Sequence, residues 1–152
     1  MLLGHAPRAT MTREQIVALF AARQDAIARR DIALIAAQHA PDCQHESALA
    51  GGTVKGREAI GQLYERWFKG FPDFVMTSEE LLIDGDRVIQ VTTQSGTDTG
   101  GFMELPPTGK PFRVPVVWLF TLKDNQFTHV RPIYDFTGTL MQIGVLKAKP
   151  AV

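Results

Sequence analysis

At Pro72 the apolar residues of this chain stop recurring every three or four positions and begin to alternate, which restricts the fold more than any other feature. Upstream, "TREQIVALFAARQDAIARR" opens with Thr12 three residues before Gln15, a capping-box spacing, and sets Ile16, Leu19, Phe20, Arg23 and Ile27 on one stripe. A second helix is expected at "DIALIAAQHA", capped by Asp31 and stopped by Pro41, whose ring disfavours helical geometry at Ala40. In "REAIGQLYERWFKG", Ala59, Ile60, Leu63, Tyr64, Trp67 and Phe68 share one buried face, and Gly70 ends that helix. Residues 43–49, before the Gly51-Gly52 break, have no helical period and read as a short extended segment.

Downstream of Pro72, residues 74–84 and 86–95 read as two strands joined at "IDGDRV", where Asp84 and Gly85 suit a tight hairpin. "PFRVPVVWLFTL" puts Phe112, Val114, Val116, Trp118, Phe120 and Leu122 on one face of a strand. A last strand over residues 126–136 places His129, Arg131, Ile133 and Asp135 together, and "TGTLMQIGVL" reads as a short terminal helix. Helices first and antiparallel hairpins afterwards indicate an α+β domain with the helices laid against one face of a sheet.

Length allows one such domain: residues 12–146, with 1–11 as a loose leader and 147–152 as a tail. Sixteen charges of each sign leave no net field to attract nucleic acid or an anionic membrane. Cys43 is the only cysteine, and His5, His39, His45 and His129 show no zinc spacing with it, so neither a disulfide nor a metal site is expected. No apolar run reaches the ~20 residues of a membrane span or forms a signal peptide, which makes the expected location cytoplasmic. No phosphate loop, dinucleotide fingerprint or serine elbow occurs, and no cofactor is expected.

One segment does not fit a plain linker. "GTDTGGFMELPPTGKPF", residues 96–112, mixes glycines and prolines with Phe102, Met103 and Leu105. In order and spacing, this segment, the third helix running into "FPDF", the hairpin "LIDGDRV" and the ending "YDFTGTLMQIG" resemble the SnoaL-like polyketide cyclases of the nuclear-transport-factor-2-like superfamily. The resemblance runs over residues 12–146 and is most specific in residues 96–111 and in the final "D..G...QIG" pattern.

It implies a cone: a curved antiparallel sheet wrapped around three helices from the first half of the chain, with a short C-terminal helix and a deep pocket open at one end. It also implies a homodimer through the outer sheet face, which here carries Pro115, Val117 and Leu119. Asp135 matches the family's general acid/base, a role that needs a carboxylate whose pKa an apolar cavity raises. The other reading of Asp135 is a cap where the strand turns into the terminal helix.

Arg131 is the candidate to pair with Asp135 or to hold a substrate oxyanion, and His45 to hydrogen-bond a substrate carbonyl or shuttle a proton. Where many relatives read "GTH" this chain has "GTD", which makes Asp98 a fourth catalytic candidate. Tyr64, Trp67, Trp118, Phe120 and Ile133 would line the pocket, with Phe102, Met103 and Leu105 as a lip over its mouth.

The implied chemistry is aldol-type cyclisation, isomerisation or a related lyase reaction on a fairly apolar, oxygenated, polyketide-like small molecule. Two alternatives stay open: a non-catalytic binding or dimeric interaction module of the same fold, and water activation by two carboxylates as in an epoxide hydrolase. Fold alone decides among none of these.

Overall fold

A computed structural model describes residues 10–150. Helices α1 (Arg13–Ala28) and α2 (Ile32–Ala37) lead into strands β1 (His39–Ser47) and β2 (Gly52–Lys55). After α3 (Arg57–Gly70) come β3 (Val75–Asp84), β4 (Arg87–Thr97), β5 (Pro111–Lys123) and β6 (Gln126–Ile133), and α4 (Phe136–Gln142) closes the domain. The strands form one sheet in the order β2-β1-β6-β5-β4-β3, so the α+β expectation holds. Most of the expected leader lies outside the described residues.

The capping box forms in both directions: Gln15 N donates to Thr12 Oγ1 at 3.1 Å and Thr12 N to Gln15 Oε1 at 2.8 Å. The stripe of α1 is its buried face, and Phe20 meets the rings of Phe120 and Phe127 at centroid distances of 4.9 and 5.5 Å. Helix α3 can lie close to α2 because residue 61 is glycine, where a Cβ would stand 3.3 Å from Ile32 Cγ2.

Three elements differ from the sequence reading. Helix α2 stops at Ala37 and β1 begins at His39, two residues before Pro41. The restraint that proline places on its predecessor favours extended backbone, so it extends the strand as well as ending the helix. After the Gly51-Gly52 turn the chain returns as β2 beside β1. Finally, β1 runs parallel to β6, with His45 opposite Val130, while the other pairs are antiparallel. A strand that arrives from a helical hairpin is free of the direction a β-turn imposes.

Register shifts between His39 and Gln44, Ser78 and Glu80, and Thr121 and Leu122 add twist and curl the sheet around the helices. Its concave face carries Val88, Gln90, Thr92 and Gln94 from β4 and the predicted row from Phe112 to Leu122 of β5, all buried. At the β3–β4 hairpin Gly85 takes the positive φ, +59°.

At the far end of the chain, Asp135 is the N-cap of α4 and its Oδ1 accepts from Gly138 N at 2.7 Å. Position 138 must be small, because a Cβ there would lie 2.2 Å from Asp135 Oδ2. Gln142, on the last turn of α4, accepts from Arg113 N at 2.8 Å and donates to Arg113 O at 3.2 Å. Ile143 is buried and Gly144 turns the chain away at φ +76°. Each fixed position of the "D..G...QIG" pattern therefore has a structural task.

Candidate active site

Between α3 and the concave sheet lies a cavity lined chiefly by aromatic and aliphatic side chains, among them Tyr64, Trp67, Phe74, Met76, Trp118 and Tyr134. The void between its walls is about 540 Å³ including the open mouth, of which about 40 Å³ admits the centre of a water molecule. It is a narrow slot, tighter than the roughly 300–1,000 Å³ pocket that encloses a drug-sized ligand. Its polar lining consists of His45, Ser47, Tyr64, Trp67, Gln94, Trp118 and Tyr134, none of them a carboxylate, lysine or arginine.

His45 points inward from β1, 5% exposed, with its ring 6.1 Å from that of Trp118 and its Nδ1 without a protein partner. Burial, reinforced by His39 and Arg23, pushes its pKa down to about 3, so the imidazole is neutral at pH 7. The Tyr64 hydroxyl accepts a 2.7 Å hydrogen bond from Arg23 Nη1, which polarises its own O–H toward a further acceptor. Trp118 Nε1 donates to Thr92 Oγ1 at 3.1 Å and holds the indole against the wall. Burial pushes the pKa of the Tyr134 hydroxyl well above the ordinary tyrosine value, so it stays a neutral donor at pH 7.

The four catalytic candidates do not come together. His45 lines the cavity, whereas Asp135 is exposed and its carboxylate caps α4. Residues 131, 133 and 135 share a face as expected, but Pro132 and Tyr134 are the neighbours that reach the cavity. Arg131 pairs with Glu46 on the exposed face, Nε to Oε2 at 3.0 Å, rather than with Asp135.

Asp98 is fully buried inside the 98–110 loop. Its Oδ1 accepts from Gly101 N at 3.1 Å and Phe102 N at 3.0 Å, and its Oδ2 from Thr108 N and Thr108 Oγ1, both at 3.1 Å. No two carboxylates meet at the cavity, so the geometry gives no support to epoxide-hydrolase-like water activation.

Of the expected lining, Tyr64, Trp67 and Trp118 are present. Phe120 lies behind the wall, its ring under the Arg23 guanidinium at 5.0 Å. Ile133 faces outward, 49% exposed. The lip does not form: Phe102 is a buried plug between Trp67 (4.9 Å) and Phe71 (4.8 Å), while Met103 and Leu105 are exposed away from the lining. Gln94, Pro132 and Tyr134 were missed, although strand parity carries their signal: Gln94 shares the face of Thr92, and Tyr134 alternates with the outward residues of β6.

The family model for SnoaL-like polyketide cyclases matches residues 18–143. The chain belongs to that family. Among solved structures, TsrD from Streptomyces laurentii is 23% identical, with a TM-score of 0.79 over 90% of this chain and 99% of TsrD. A SnoaL-like protein from Jannaschia sp. CCS1 is also 23% identical, with a TM-score of 0.79 over 95% of this chain and all of its own. IdmH from Streptomyces antibioticus is 24% identical, with a TM-score of 0.72 over 84% and 97%. At such identities these likenesses establish the fold. No curated protein matches the sequence.

Membership in the SnoaL-like family supports a small-molecule function of the cyclase or isomerase type. Among the described residues no helix is long and apolar enough to cross a membrane.

Proposed function

We propose that this SnoaL-like protein is a cofactor-independent enzyme of the cyclase or isomerase type, which holds a carbonyl oxygen of an apolar, oxygenated substrate between the His45 imidazole and the Tyr64 hydroxyl. The observation that carries the reading is that a neutral His45 and a tyrosine already polarised by a guanidinium line the same narrow cavity. A ring that resists protonation is a poor base and a good fixed donor. Two such donors in a dry slot favour the enolate that forms when a proton leaves the carbon next to a carbonyl. With no carboxylate in the lining, the proton must already be acidic, as it is between two carbonyls of a β-diketone, and it passes to a water molecule at the open mouth, which carries it to solvent.

The exchange of the central protons of acetylacetone in deuterated water, followed by NMR, tests this reading. The wild type should accelerate exchange, and His45→Phe and Tyr64→Phe should each lower the enzymatic rate by about 100-fold, the usual effect of losing one oxyanion donor. Asp135→Asn, which preserves a cap, should leave it unchanged. Equal rates in all four proteins would refute the role of His45 and Tyr64. The missing carboxylate favours one second reading, a binding module of the same fold; ligand binding without any exchange is its signature.

A homodimer through the outer sheet face belongs to the same proposal, supported by the exposed Ile133 and by Pro115 and Leu119 on that face. Sedimentation equilibrium at micromolar concentration should give twice the chain mass, and Ile133→Lys should shift it to the monomer. A wild-type monomer would overturn the dimer.

A further inference from the structure

Arg23 has no part in the function so far beyond its bond to Tyr64, yet it is the most unusual group in the molecule. Its side chain leaves the buried stripe of α1 and ends in the core, 1% exposed. Nε donates to Gln90 Oε1 at 3.2 Å and Nη1 to Tyr64 Oη at 2.7 Å, while Nη2 has no protein partner. The guanidinium lies over the rings of Trp118 (4.5 Å) and Phe120 (5.0 Å), with Tyr64 and Phe127 at about 6 Å. No carboxylate among the described residues forms an ion pair with it.

A buried arginine without a counter-charge is costly, because aromatic faces and neutral acceptors replace only part of its hydration. Three buried side-chain nitrogens or oxygens among the described residues lack a partner: Arg23 Nη2, His39 Nε2 and His45 Nδ1. His39 donates through Nδ1 to Ile35 O at 2.7 Å, and both histidines feel the field of Arg23, which helps keep them neutral. The unmet polar capacity of the interior therefore gathers around one fixed positive charge.

That charge stands one layer behind the cavity wall. Tyr64 and Trp118 touch both the guanidinium and the cavity, and the lining has no formal charge of its own to oppose it. An oxygen accepting from Tyr64 Oη would lie about 5 Å from the guanidinium, two hydrogen bonds in series, through a medium that screens little. We infer that the cavity takes its ligand as an oxyanion, a carboxylate, enolate or phenolate, with Arg23 as the buried counter-charge acting through the Tyr64 hydroxyl.

The inference rests on the proposed reading of the cavity as a small-molecule site and adds the charge of what it binds. At the Tyr134 wall, beside Trp67, nothing compensates burial, and neutral oxygens suit that side. The ligand this describes has one ionised oxygen at its Tyr64 end and a neutral, flat remainder.

Benzoate and benzamide, alike in shape and different in charge, test the inference by calorimetry at pH 7.5. Benzoate should bind at least about tenfold more tightly than benzamide, and Arg23→Met should reduce the ratio to about one. Tyr64→Phe keeps the ring packing, so it carries the same test if the Arg23 variant does not fold, and it too should collapse the ratio. Equal binding of the two probes to the wild type, or a preference for benzamide, would overturn the anion inference and leave the small-molecule reading standing. Failure of both to bind at millimolar concentration would overturn both.

Discussion

Acidification from pH 7 to pH 4.5 should remove about 5 kcal/mol from the stability of this domain, with uptake of about two protons on unfolding. The protons go to His39 and His45, which the fold holds at about 4 and about 3 against an ordinary value of 6.5. For His39 the cause is burial first, opposed by its bond to the Ile35 carbonyl and assisted by Arg23 and Arg57; for His45 it is burial, then His39 and Arg23. Depressed imidazole pKa values mean that the unfolded chain binds protons the folded chain refuses.

The stabilisation is therefore complete above pH 6.5 and falls as the pH drops toward the folded values, by about 1.4 kcal/mol per unit for each ring. Two rings give about 3 kcal/mol per pH unit, enough to exhaust a typical domain stability of about 5–15 kcal/mol within a few units. Urea unfolding curves at pH 4.5, 5.5 and 6.5 measure the slope, and His39→Leu should halve it. A wild-type stability that is flat over this range would show that the two rings are charged in the folded state.

Asp98→Ala should destabilise the protein by about 3–5 kcal/mol, a fall in Tm on the order of 10 °C. Alanine leaves the amides of Gly101, Phe102 and Thr108 and the Thr108 hydroxyl without their acceptor. It also loosens the backbone that sets Phe102 against Trp67 and Phe71. Asp98→Asn should cost less, because one oxygen still accepts. Thermal unfolding of the two variants beside wild type checks the order, and an alanine variant as stable as the wild type would show that the loop holds without its carboxylate.

The same geometry shows what an aspartate supplies at position 98, where the family resemblance implies a histidine. A carboxylate accepts four hydrogen bonds from both halves of the loop; a neutral imidazole accepts one. The replacement reads in sequence as a change of chemistry and in space as a staple.

Periodicity made the helices and the long strands legible: the α1 stripe, the hairpin at Gly85 and the buried row of β5 follow from local sterics and alternation. The parallel seating of β1 on β6 was not legible, because residues far apart in the chain decide it. The site was half legible. Tyr64, Trp67, Trp118 and His45 line the cavity, but strand parity sends Asp135, Arg131 and Ile133 to the other face and brings in Tyr134 and Pro132. A residue shared with a family motif indicates position in the fold before it indicates a role, and here the motif's aspartate opens a helix.

Gln142 has a consequence beyond its own helix. Strand β5 begins at Pro111 and is thirteen residues long, whereas β6 is eight and reaches only as far as Val117, so β5's first residues have no strand on that side. An open row of amides and carbonyls there invites pairing with another chain. The carboxamide of Gln142 occupies the amide and the carbonyl of Arg113 as a neighbouring strand would, from a side chain that cannot propagate the ladder. The end of the chain thus serves as a guard against edge-to-edge aggregation, at a point where the sheet would otherwise have remained adhesive.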